Sequence, residues 1–128
     1  MSWFVKSQIV MNNLTDRNLV NDKIHYFEKI SDRIYHMGKI AFQSQLDAKK
    51  EAYSIVQEKT MSSYPDIIDI LSRAERVALD SPWKFRELCA MALTEVDIRL
   101  KTLIKERKQF TEQKLPARMK GWIDEHSE

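Results

Sequence analysis

Between Leu14 and Lys59 the chain has no proline and a single glycine, Gly38. Nothing in that stretch forces a helix to stop, and its apolar residues are spaced for one. Phe27, Ile30, Ile34, Met37 and Ala41 recur at steps of three and four, which is one stripe of an α-helix. Ile24, Tyr35, Phe42 and Tyr53 fall on a neighbouring stripe, so the apolar arc is wide. A continuous helix over 14–59 would be roughly 65–70 Å long. A compact chain of 128 residues has a radius of gyration of only about 14 Å. The pattern therefore predicts either a break near Gly38 or an elongated molecule whose protruding end finds a partner.

The shortage of breakers holds for the whole chain, with Gly 2 and Pro 3 where average usage would give about nine and six. All-β folds spend such residues on many turns, so an all-α fold is expected. Apolar residues at 43% and charged residues at 31% describe a soluble globular protein and exclude disorder or a collagen-like repeat. The lone cysteine, Cys89, excludes a disulfide scaffold and fits a reducing compartment. No apolar stretch approaches the roughly 20 residues of a membrane helix, and no basic leader precedes an apolar run at the start. Cytoplasmic location and no membrane partner are the expectation.

One domain is expected over 1–128, a bundle of three long antiparallel helices, elongated or oligomeric. Residues 1–13 read as an N-terminal arm, since Asn12-Asn13 and Thr15-Asp16 supply turn and N-cap chemistry before helix 1 (14–59). Thr60 to Pro65 is the clearest loop. Pro65 suits the first turn of helix 2 (65–80), where Ile67, Ile70, Leu71, Ala74, Val77 and Ala78 share a face. Ser81-Pro82 restarts the pattern as N-cap and first residue of helix 3 (82–114). Phe85, Leu88, Cys89, Ala92, Val96, Leu100 and Leu103 point its apolar stripe inward. Leu115-Pro116 ends it, and a tail over 116–128 carries a short helical piece with Met119 and Trp122.

Formal net charge is +2, which alone implies no polyanion partner. The distribution is uneven: residues 1–98 are nearly balanced, whereas Arg99, Lys101, Lys105, Arg107, Lys108, Lys114, Arg118 and Lys120 face only Glu106 and Glu112 over 99–120. Lys101, Lys105 and Lys108 follow i, i+4, i+7 spacing, a row that can meet phosphates. The plainer reading is a solvated face whose positive charge favours a helix C-terminus. RNA-recognition, KH and zinc-finger patterns are absent, and the long helices suit no helix-turn-helix.

His25, Glu28, Asp32 and His36 line one side of helix 1 and are the right residue types for a transition metal. A single straight stripe cannot wrap an ion, and this one lies opposite Ile30, Ile34 and Met37, where a solvated face belongs. No metal and no cofactor are expected. No Ser-His-Asp or Cys-His set can be assembled, two glycines cannot make a phosphate loop, and Cys89 sits on the apolar face. A catalytic role and a small-molecule substrate are not expected. Aromatic residues point instead to a partner, because Trp3, Phe4, Trp83, Trp122, Tyr26, Tyr35 and Tyr53 cannot all fit beneath three helices whose inward stripes already fill the core. Trp3 and Trp122 as caps on the same core is an equal alternative. The sequence thus predicts a non-catalytic interaction protein, regulatory or adaptor in kind. Its expected surface is Ile24, Tyr35, Phe42, Tyr53, Trp3 and Trp122, self-associating through helix 1 or binding another protein. The alternative is a nucleic-acid-binding or nucleoprotein-associated factor using Lys101, Lys105, Lys108, Lys114, Arg118 and Lys120.

Overall fold

In the computed structural model, which describes the backbone of residues 3–113 and the side chains of 17–109, the fold is all-α, with no strand among the described residues. Helix α1 spans Trp3–Ile40, α2 Gln45–Val56, α3 Pro65–Val77 and α4 Pro82–Gln113, with a 3₁₀ turn at Thr60–Ser63. The expected arm over 1–13 is, from Trp3 onward, the first part of α1. Asn, Thr and Asp each cost a helix only about 0.7 kcal/mol or less, and without Gly or Pro nothing stops it there.

The expected helix over 14–59 is two helices, and the break lies at 41–44, beyond Gly38. The amides of Gln43 and Ser44 both donate to the Ile40 carbonyl, at 3.0 and 2.8 Å, and the chain reverses. No glycine or proline directs this turn; burial does. Folding α2 back places Ala48, Ala52 and Ile55 in the interior beside the stripe of α1, all of them fully buried. A straight continuation would leave that stripe in water. Gly38 stays helical and lies beside α4: a Cβ there would be 3.6 Å from the Cβ of Cys89, an ordinary van der Waals contact.

The later boundaries follow the local chemistry. Pro65 opens α3, and α3 ends at Val77 with a turn over 78–80. The Lys84 amide donates to Ser81 Oγ at 3.2 Å, the N-cap expected of Ser81, with Pro82 as first helical residue.

The chain divides into two compact units, Phe27–Leu100 and Met1–Tyr26 with Lys101–Glu128. The first holds most of the core. Phe27, Ile30, Ile34, Met37 and Ala41 from α1 and its end, Ile67, Leu71, Ala74 and Ala78 from α3 and its end, and Phe85, Cys89, Ala92 and Val96 from α4 are buried, together with Met61 of the 3₁₀ turn. These are nearly all the inward residues read from periodicity; Ile70, Val77 and Leu100 are only half-buried. In the second unit Val20, Ile24 and Leu103 are buried. The tail expected over 116–128 lies outside the described residues.

Candidate interaction surfaces

Within Phe27–Leu100 the turn after α1 and the first turn of α4 meet in an exposed aromatic pair. Phe42 and Trp83 stand edge to face, ring centroids 4.7 Å apart at 74°. The Arg86 guanidinium lies over the Phe42 ring, 5.4 Å from its centroid. Trp83 nevertheless keeps 71% of its surface in water and Phe42 43%. The side-chain amide of Gln45 donates to the Leu79 carbonyl at 3.2 Å, tying the start of α2 to the turn after α3. The side chains of Leu79 and of Leu46, the residue after Gln45, are both exposed. Helical geometry explains why Trp83 is outside: it precedes Phe85 by two residues, about 200° around the helix, so burying one exposes the other.

The other residues expected at an interaction face are scattered. Tyr35 and Tyr53 are exposed, at 60% and 52%, and the Lys39 ammonium lies 5.5 Å from the Tyr35 ring centroid. Ile24 is a correction: it is 3% exposed and continues the buried stripe of α1, one turn before Phe27, so it presents nothing to a partner. The side chain of Trp3 and all of Trp122 lie outside the described residues. Lys101, Lys105 and Lys108 are exposed on α4, while Leu103 between them is buried. Lys114, Arg118 and Lys120 lie beyond the described residues. Arg107 is half-buried.

Charged groups in the first unit act as struts between helices. Arg33 of α1 donates from Nε to Glu51 of α2 at 2.5 Å, from Nη1 to Glu58, and from Nη2 to Ser54 Oγ at 3.2 Å. Partial burial by itself disfavours the Arg33 charge, but the two carboxylates outweigh it and raise its pKa above the ordinary arginine value. Arg99 of α4 pairs with Asp66 in the first turn of α3 at 2.5 Å and with Glu95 at 3.5 Å. Its guanidinium also lies 5.6 Å from the ring centroid of Tyr64, which stands edge to face on buried Phe27 at 4.7 Å. Desolvation works to raise the Asp66 pKa; the hydrogen bond and charge of Arg99 outweigh it and hold the carboxyl below its usual range.

His25, Glu28, Asp32 and His36 are all exposed, and among the described residues no three His, Cys, Asp or Glu side chains are grouped to hold a metal ion. Burial pushes the Cys89 thiol up to about 12, against a lesser pull from Arg86, so at neutral pH it is a protonated core side chain. Among the described residues no helix is long and apolar enough to cross a membrane. Comparison with known proteins finds no family model, curated protein or solved structure that matches the chain.

Proposed function

We propose that this chain is a non-catalytic helical interaction protein, regulatory or adaptor in kind, that self-associates through the exposed corner built on Phe42 and Trp83. The observation that carries the reading is the exposure of this aromatic pair, which is held in a fixed edge-to-face geometry with an arginine over it. Aromatic side chains lose little conformational freedom on binding, and tryptophan and arginine are among the residues most often found at interface hot spots. Leu46 and Leu79 are exposed as well, on the two segments that the Gln45–Leu79 hydrogen bond ties together. A single buried thiol suits the reducing cytoplasm, where we place its action.

Sedimentation velocity at tens of micromolar tests the reading. The wild type sediments as a dimer or larger species, and the Phe42→Ala/Trp83→Ala double variant sediments as a monomer with an unchanged helical spectrum. A wild type that is strictly monomeric sinks self-association; a double variant that still associates moves it to another surface.

A second reading keeps nucleic acid as the partner of the α4 lysines. It is favoured by the exposure of Lys101, Lys105 and Lys108 at one-turn intervals. It requires affinity for a short duplex or single strand that falls steeply with added salt and is lost on reversing the three charges. No mobility shift at low salt removes it.

A further inference from the structure

Helices α3 and α4 leave an open groove of about 460 Å³ between them, lined by Arg73, Arg76 and Val77 from α3 and Lys84, Leu88 and Met91 from α4. The floor is aliphatic and thioether; the three polar side chains that line it are all cationic. Lys84, Leu88 and Met91 follow i, i+4, i+7 spacing, and Arg73, Arg76 and Val77 follow i, i+3, i+4. Each helix therefore presents one row, and the rows run side by side. Leu88 is buried, Val77 half-buried and Met91 half in water, so the floor deepens from Met91 towards Leu88. One rim charge, Arg73, is already held by Asp69 at 3.1 Å; Arg76 and Lys84 are exposed on opposite walls.

We infer that this groove receives an acidic amphipathic segment of a partner protein, docked as a helix with its apolar side chains on Val77, Leu88 and Met91. The charge of the walls selects the occupant. A second copy of the same groove would bring cation against cation, and an uncharged apolar helix would leave both rims without a counter-charge. Carboxylates flanking the apolar stripe meet Arg76 on one side and Lys84 on the other. The row from Lys84 to Met91 covers about 10 Å of helix, enough for two successive apolar anchors of a partner. Methionine at the open end adapts to anchors of differing shape. A nucleic-acid backbone carries no apolar groups for this floor, and no aromatic side chain lines it for base stacking. The inference rests on the reading of the chain as an interaction protein, though not on its self-association, which uses a different surface.

The test uses the full chain and a fluorescein-labelled synthetic helix of about 15 residues, some 22 Å long. The peptide carries Leu at i, i+4 and i+7 and Glu on both flanks. Anisotropy shows saturable binding. Arg76→Glu/Lys84→Glu weakens it about tenfold or more, and Met91→Gln, equal in length but polar, weakens it several-fold. A peptide with Lys in place of Glu binds the charge-reversed double variant better than it binds the wild type. Phe42→Ala/Trp83→Ala leaves peptide binding unchanged, and the groove variants still self-associate, which separates failure of one surface from failure of the other. Absence of binding at millimolar protein overturns the inference. So does binding that ignores the charge reversal, survives replacement of the peptide leucines by Ser, or is displaced by an oligonucleotide.

Discussion

Among the described residues the chain builds the same aromatic arrangement twice, in opposite surroundings. Phe27 and Tyr64 stand edge to face at 4.7 Å with Arg99 over the tyrosine; Phe42 and Trp83 stand edge to face at 4.7 Å with Arg86 over the phenylalanine. The first pair is rooted in the core through Phe27, which is 1% exposed, and its arginine also holds Asp66 and Glu95. The second pair is open to water on both rings. Pair geometry is thus no guide to role. The edge-to-face contact adds only about 0.5–1.5 kcal/mol beyond area burial, so burial decides which copy stabilises the fold and which contributes little to it.

Mutation separates the two most sharply at the rings. Phe27→Ala is expected to cost about 3–5 kcal/mol in urea unfolding, because it removes a buried ring and leaves a cavity. Trp83→Ala is expected to cost about 1 kcal/mol or less, with its effect appearing in sedimentation instead. Equal losses at the two sites would break the comparison.

The arginines come next. Arg99→Met removes two carboxylate contacts and a ring contact from partly buried surroundings and is expected to cost about 1–2 kcal/mol. Arg86→Met loses a cation–π contact at an exposed ring, worth about 0.5–1 kcal/mol. Chemical denaturation of the two variants side by side ranks them.

The pH dependence sharpens the same contrast. Because Arg99 lowers the Asp66 pKa, their pairing stabilises the fold above the ordinary aspartate value of about 3.9, and that contribution is lost as pH falls through the lowered value. The stability difference between wild type and Asp66→Asn is therefore expected to be constant from pH 7 to about 5 and to shrink below about pH 4. A difference that does not shrink on acidification would mean that Asp66 acts through something other than its charge.

The smallest effect lies near the exposed pair, where Gly38 of α1 lies beside Cys89 of α4. An added methyl at 38 makes only ordinary contact, at 3.6 Å. Gly38→Ala is expected to raise stability by up to about 1 kcal/mol through helix propensity while leaving association untouched. Loss of association on this change would show that the corner depends on the exact approach of α1 and α4.

Much of the fold was legible beforehand. The buried stripes of α1, α3 and α4, the opening of α3 at Pro65 and the Ser81-Pro82 start of α4 all rest on spacing and capping within a turn or two. The site was less so. Phe42 was among the residues expected at a surface and Trp83 among the aromatics too many for the core, but Ile24 from the first set is buried and the pairing of Phe42 with Trp83 was not foreseen. The signal for Trp83 was available, since a residue two before Phe85 must face away from the stripe. That it would meet Phe42 was not, because their contact joins positions forty-one apart in sequence. The α3–α4 groove was hidden for the same reason: its two rows look in sequence like unrelated exposed cations and apolar residues.

What the sequence determined by itself is helix: few breakers, three-and-four spacing and two proline-marked starts are local properties, and each acts within about one turn of chain. What only the tertiary structure decided is where the first long helical stretch turns back. Ala41–Ser44 contains no residue that compels a turn. The chain reverses there because Ala48, Ala52 and Ile55 gain burial against α1 and the rest of the core. Burial is a property of the assembled helices, and the same reversal brings Phe42 to Trp83.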